Sequence, residues 1–270
     1  MDQGWPSDFV GGTLDAFGEY VDIVKLWDPH LLQPREEVEK KIALYRQHDV
    51  IVQPGGLVLE LARQNGNASE MLPKLVEMGF NAVEMSSTTS TRDSVDEEAQ
   101  LMKEAKELGL TIFGEVGRKF ADGDETRLTE DTIDIDRTVQ EFHELLSAGA
   151  SQVYWEGHLL RKVIGEDPDD IKRKASTGSQ QVLEVARQVG EQNILFEVSG
   201  LRPQANRQWL QFWLIRLFGP QVNIANARIE EMGNLEALRS GMHPMFGFGH
   251  AGNYSWMRAR DEGRETWWRA

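Results

Sequence analysis

The sequence predicts an α/β fold, a parallel β/α barrel of the eight-fold TIM type with its first strand short or missing. Three observations carry that expectation. Short apolar runs alternate with amphipathic stretches at a spacing of roughly thirty to forty residues, the β-α-β-α rhythm of a parallel sheet. The apolar runs lack clean in–out alternation, as expected of strands buried on both faces. The length of 270 residues is close to the roughly 250 typical of one such barrel, and no linker divides the chain.

The elements follow in order. Strands are expected near 22–27, 50–53, 81–85, 110–115, 152–156, 193–197 and 222–226. The barrel's first strand should precede a helix at 7–20, but only six residues lie there. Pro34 opens a further helix, whose Val38, Ile42 and Tyr45 share one face between Glu36 and Gln47. Asp93 caps another, with acidic Asp96, Glu97 and Glu98 in its opening turns and Gly109 closing it. The helices expected over 138–146 and 180–189 end at Gly149 and Gly190 in the same way. Trp209, Trp213 and Leu217 are spaced for one helix face and read as core or interface. The barrel is expected to span 1–241. Residues 242–270, rich in Gly, Arg and aromatics, form an extension packing on the barrel or on a neighbouring subunit.

Composition narrows the chemistry. A formal net charge of −15 repels nucleic acid and anionic membranes, so any anionic substrate must meet clustered cations or a metal. No run of eighteen apolar residues is present, and the N-terminus lacks the basic and apolar regions of a signal peptide. A cytoplasmic home is the default expectation. The absence of cysteine removes disulfides, thiolate zinc sites and cysteine nucleophiles together. Gly247-Phe248-Gly249-His250-Ala251-Gly252 matches the dinucleotide fingerprint by letter, but too little chain follows it for a βαβ unit. There is no HExxH and no Gly-x-Ser-x-Gly.

Four predicted strands end in the same chemical type: Glu84, Glu115, Glu156 and Glu197. Strand C-termini open onto the active site of a β/α barrel, so these carboxylates are expected at one mouth. A charge in an apolar strand is costly unless paired, hydrated or bound to metal, and two readings follow: interior ion pairs, or a site for metal or acid–base chemistry. Hard oxygen donors without Cys or a His pair point to Mg²⁺ rather than zinc. Lys25 lies within an apolar strand, an awkward place unless it points into the mouth beside carboxylates. Arg118 and Lys119 follow the strand ending at Glu115, and His158 directly follows Glu156-Gly157. Arg161 is expected on the loop after Glu156, and Arg202 with Arg207 on the loop after Glu197. Such cations could bind a small anionic substrate. Pro54-Gly55-Gly56 either lets a ligand approach the backbone or makes a tight turn.

These residues also resemble a known family. Lys25 in Val-Asp-Ile-Val-Lys, Gln53-Pro54-Gly55-Gly56, Val83-Glu84-Met85-Ser86, Glu115-Val116-Gly117-Arg118-Lys119, Trp155-Glu156-Gly157, Leu195-Phe196-Glu197 and Asn223-Ile224-Ala225-Asn226 stand in the order seen in phosphosulfolactate synthases. Leu235-Glu236-Ala237-Leu238-Arg239-Ser240-Gly241 is similar to that family too, and the resemblance covers roughly residues 2–247. It implies a β/α barrel that requires Mg²⁺ and adds sulfite to phosphoenolpyruvate. It also implies a proton delivered by Lys119, an anion held by Lys25, and Glu115 among the catalytic groups. Arg118, His158, Arg161, Arg202 and Asn226 are then the expected substrate contacts, and a homo-oligomer, such as a trimer, is the expected assembly. The chain departs from the family pattern at Leu26-Trp27-Asp28-Pro29, at Ser87-Thr88, after Gly157, and in the longer loop at 199–203. The first reading is therefore addition of sulfite to phosphoenolpyruvate or a related enol acid. The altered anion-reading loops favour an alternative, the same barrel and metal site acting on a different substrate in a specialised biosynthetic pathway, such as another nucleophile or a non-phosphorylated acceptor. A non-catalytic barrel, as in plant relatives linked to heat stress, is the third reading. Retained Lys25, Glu115 and Lys119 favour catalysis over it.

Overall fold

The computed structural model describes residues 1–86, 95–117, 133–165, 168–198 and 204–242. Seven strands run in sequence order: β1 (Ile23–Leu26), β2 (Ile51–Pro54), β3 (Ala82–Met85), β4 (Thr111–Val116), β5 (Gln152–Trp155), β6 (Ile194–Glu197) and β7 (Ile224–Ala225). Every ladder is parallel, β1 with β2 and then β3 through β7 in succession. Asn81 joins the two sheets, its side-chain oxygen accepting from Val52 N–H at 2.7 Å and its own N–H donating to Val52 at 3.2 Å. The helices among the described residues are α1 (Ser7–Phe17), α2 (Arg35–Gln47), α3 (Leu57–Gln64), α4 (Ala68–Glu77), α5 (Val95–Glu107), α6 (Ile135–Ala148), α7 (Gly157–Ile164), α8 (Pro168–Val189), α9 (Gln204–Phe218) and α10 (Met232–Arg239). None of them is long and apolar enough to cross a membrane.

The expected first strand is reduced to a stub. Asp2 forms a parallel bridge with Leu26; its N–H donates to Lys25 O at 3.0 Å, and Trp27 N–H donates to Asp2 O at 3.0 Å. On the other side the Met1 amine donates to Ala227 O at 2.5 Å, and Ile229 N–H donates to Met1 O at 3.1 Å. Two residues thus close the ring between β7 and β1.

Side-chain chemistry fixes the stub. The buried Asp2 carboxylate accepts from Gly4 N–H at 2.9 Å, Trp5 N–H at 3.1 Å and Tyr45 O–H at 3.2 Å, with His30 Nε2 at 3.5 Å. Burial pushes this carboxyl up, but the His30, Lys41 and Gly4 N–H partners outweigh it and hold it below its usual value. Towards the N-terminal ends of the strands, a cavity of about 230 Å³ opens at the seam beside Met1, Ile23, Tyr154, Leu195 and Ile224.

Strand alternation sorts the core into two layers. Val24, Val52, Val83, Ile112, Val153 and Phe196 face the helices and belong to one large cluster. Ala82, Phe113, Tyr154, Leu195 and Ala225, with Ile23 and Ile51, fill the barrel interior. The sequence hid this period of two because both faces are apolar at that level.

Helix ends follow the expected glycines. Gly149 closes α6 at φ 117°, while Gly109 and Gly190, after α5 and α8, take φ 79° and 87°. Trp209, Trp213 and Leu217 pack against the core from α9, as their spacing suggests. Asp93 and residues 243–270, including the glycine-rich match, lie outside the described residues. Two expectations are corrected. Residues 157–164 form helix α7 rather than a loop, because Leu160, Val163 and Ile164 bury at helical spacing. Arg207 lies on α9, where Glu231 holds its guanidinium in a buried ion pair.

Candidate active site

The inner positions nearest the strand C-termini are polar. Lys25, Gln53, Glu84, Glu115 and Glu197 come from β1, β2, β3, β4 and β6, and Glu156 directly follows β5. All are buried, from 0 % exposed at Gln53 and Glu197 to 8 % at Glu115. The expectation of convergent strand-end carboxylates is met, and a lysine stands among them.

Lys25 Nζ lies 2.6 Å from Glu84 Oε2 and 3.3 Å from Glu197 Oε1, bridging carboxylates from opposite flanks of β1. It also sits over the Tyr154 ring, 4.2 Å from the centroid, within the range of a cation–π contact. Burial works to lower the lysine's pKa, but Glu84 and Glu197, with Tyr154 and Glu115 beyond them, carry it well above its usual value. Lys25 is therefore a fixed ammonium at neutral pH, suited to hold charge rather than to shuttle a proton.

Gln53 ties the layer together. Its side-chain NH₂ donates to Tyr154 Oη at 2.6 Å and to Glu84 Oε2 at 3.4 Å. Burial drives the Tyr154 phenol up and keeps it protonated. Sequence reasoning missed both as side chains of the site. The signal for Tyr154 was its place two residues before Glu156, hence on the same strand face. That for Gln53 was a polar residue inside an apolar strand.

Glu197 is held by three partners. Besides Lys25, it accepts from Gly157 N–H at the head of α7, at 3.3 Å, and from the Asn226 side chain. Asn226 reaches it from the end of β7 with a left-handed backbone at φ 55°, a conformation that asparagine tolerates better than most residues. Glu156 and Glu115 stand on adjacent strand ends, joined where Glu156 N–H donates to Val116 O at 3.0 Å.

Lys25, Glu84, Glu197 and Asn226 are thus brought into one bonded group, with Glu115 coupled to Lys25 through its charge. His158 and Arg161 lie on α7, and their side chains are outside those described. Arg118, Lys119 and Arg202 lie outside the described residues. Among the described residues no three His, Asp or Glu side chains are grouped so as to hold a metal ion. Glu84 and Glu197, two of the four expected metal ligands, are paired with the Lys25 ammonium.

The family model of (2R)-phospho-3-sulfolactate synthase (ComA) matches residues 1–244. Phosphosulfolactate synthase from Methanocaldococcus jannaschii is 33 % identical over 243 residues, 90 % of each chain. The same enzyme from Methanothermobacter thermautotrophicus is 27 % identical over 245 residues, 90 % of this chain and 87 % of that one. That from Bacillus subtilis is 24 % identical over 247 residues, 90 % of this chain and 88 % of its own. The chain belongs to the (2R)-phospho-3-sulfolactate synthase family and is a lyase.

Proposed function

We propose that the chain joins sulfite to the methylene carbon of phosphoenolpyruvate, or of a closely related enol acid, at the mouth built around Lys25. The buried ammonium shared by Glu84 and Glu197 is the observation that carries this reading, because it sets a positive charge into an otherwise acidic cleft. The family relationship supports it.

In the reaction the sulfur lone pair attacks the methylene carbon and forms the carbon–sulfur bond. The carbon–carbon π electrons move onto the substrate carboxylate as an enolate-like intermediate, and a proton then reaches the neighbouring carbon. Charge developing on the carboxylate needs a preorganised positive partner. Lys25 supplies one that needs no reorganisation, since Glu84, Glu197 and Tyr154 already fix it. Asn226 and Gly157 hold Glu197 in place from two sides. Lys119, three residues past the end of β4, is the residue assigned to deliver the proton. Arg118, His158, Arg161 and Arg202 are assigned to the substrate's anionic groups.

The donor chemistry fits Mg²⁺. The ion takes oxygen ligands, commonly one or two carboxylates, and keeps several waters. Glu115 and Glu156, on adjacent strand ends, are the carboxylates that would hold it. Bound there it would supply Lewis-acid stabilisation of the enolate-like oxygens.

Incubating the protein with sulfite, phosphoenolpyruvate and Mg²⁺ is expected to give phosphosulfolactate, read by mass spectrometry. Product from a related enol acid but none from phosphoenolpyruvate would keep the chemistry and change the substrate. No sulfonated product from any enol acid would refute the proposal.

A further inference from the structure

Gly56 and Ser86 meet at the ends of β2 and β3, beside the head of helix α3. A Cβ on Gly56 would fall 2.3 Å from Ser86 Oγ and 2.7 Å from Glu84 Oε1, so the position as folded admits only glycine. Ser86 is 4 % exposed, and its hydroxyl has no hydrogen-bond partner among the described residues. A buried, unpartnered hydroxyl is costly unless something outside the fold completes it.

The helix head is incomplete in the same sense. Gly56 is the N-cap of α3 and offers no side-chain cap. Val58 N–H donates to Gly55 O at 3.1 Å and Glu60 N–H to Gly56 O at 3.1 Å, whereas the N–H groups of Gly56 and Leu57 find no acceptor among the described residues. Orphan amides at the positive end of a helix, beside a hydroxyl that packs against Gly56, make an oxyanion cradle. Two carboxylates stand near the turn: Glu84, which Lys25 offsets at 2.6 Å, and Asp28, whose Oδ1 would lie 3.0 Å from a Cβ on Gly55. Arg63 on α3 reaches the Ser86 carbonyl at 3.5 Å and ties the two walls together.

We infer that the Gly56–Leu57 amides and the Ser86 hydroxyl bind one oxyanion group of the substrate pair, either the phosphoryl group of the enol phosphate or free sulfite. The assignment rests on the proposed function for which anions are on offer, but its test does not use turnover. The full chain is titrated separately with inorganic phosphate and with sulfite, as wild type, Gly56→Ala and Ser86→Ala, and the thermal transition of each is recorded. At least one anion is expected to bind wild type, with Kd raised roughly tenfold or more in Gly56→Ala and about threefold or more in Ser86→Ala, at unchanged melting for the latter. The anion whose binding both substitutions weaken is the occupant. Should Gly56→Ala fold poorly, Ser86→Ala decides alone, since it removes only the hydroxyl. Binding of neither anion by wild type, or a Kd in Ser86→Ala that stays within twofold for both, overturns the cradle. Either result stands whether or not the chain forms the carbon–sulfur bond.

Discussion

Lys25 Nζ stands 2.6 Å from Glu84 Oε2 in a layer that excludes water, and that ion pair sets both the charge of the mouth and a share of the fold's stability. Lys25→Met would leave Glu84 and Glu197 buried without their shared cation. Breaking one side of a buried pair costs about 3–5 kcal/mol. Urea unfolding at pH 7 should show a loss of that order. Glu84→Gln together with Lys25→Met should recover part of it, because the uncompensated charge is removed. The pH dependence has a definite sign. The lysine's pKa is raised on folding, so its contribution is complete below about 10.5 and is lost as pH rises through the higher folded value.

Asp2 is expected to matter as much as a whole strand would elsewhere. Asp2→Ala removes the acceptor of Gly4, Trp5 and Tyr45 and leaves buried donors behind. A loss of roughly 2–4 kcal/mol is expected by urea unfolding, several unsatisfied groups at about 1–3 kcal/mol each relaxing in part. Because its carboxyl is held below the usual 3.8, the stabilisation is present above that pH and is lost as pH falls through the folded value. An acid transition in wild type that is unchanged in Asp2→Asn would contradict this role.

Much of the frame was legible in the sequence, and the misses have physical causes. Apolar runs and helix-closing glycines located the strands and helix ends, because burial on both faces and a left-handed C-cap each leave a local mark. Lys25 was legible for the opposite reason, since a lysine inside an apolar strand must be answered by something. Tyr154 was not, because an aromatic in a buried strand reads as packing until its hydroxyl is seen 2.6 Å from Gln53. The stub at Met1–Asp2 was invisible to periodicity. Two residues carry no pattern, and their partners Tyr45 and Ala227 are distant in sequence. The four strand-end glutamates were legible as a group, but that Lys25 pairs with two of them was not, because the pairing spans distant strands.

Metal binding can be separated from the lysine cluster. Calorimetric titration with Mg²⁺ should show binding to wild type and its loss in the double variant Glu115→Gln, Glu156→Gln. Equal heats from both proteins would remove the proposed site from this pair of carboxylates.

The charged pair beyond β4 should divide its labour. Arg118→Met is expected mainly to raise KM for the phosphorylated substrate, the signature of a lost anion clamp. A fall in kcat at unchanged KM would assign Arg118 to the chemical step instead.

Sulfite is expected to add to an enol acid, and the residue past β4 then to protonate the adjacent carbon. Running the reaction in D₂O and reading the product by mass spectrometry and NMR tests both halves together. Wild type should give a sulfonated product with one deuterium at the carbon next to the carboxylate. Lys119→Met should form it about 10²–10⁴-fold more slowly while keeping its melting temperature and Mg²⁺ binding. A chain that forms no sulfonated product, or a Lys119→Met variant that labels and turns over like wild type, would contradict the account.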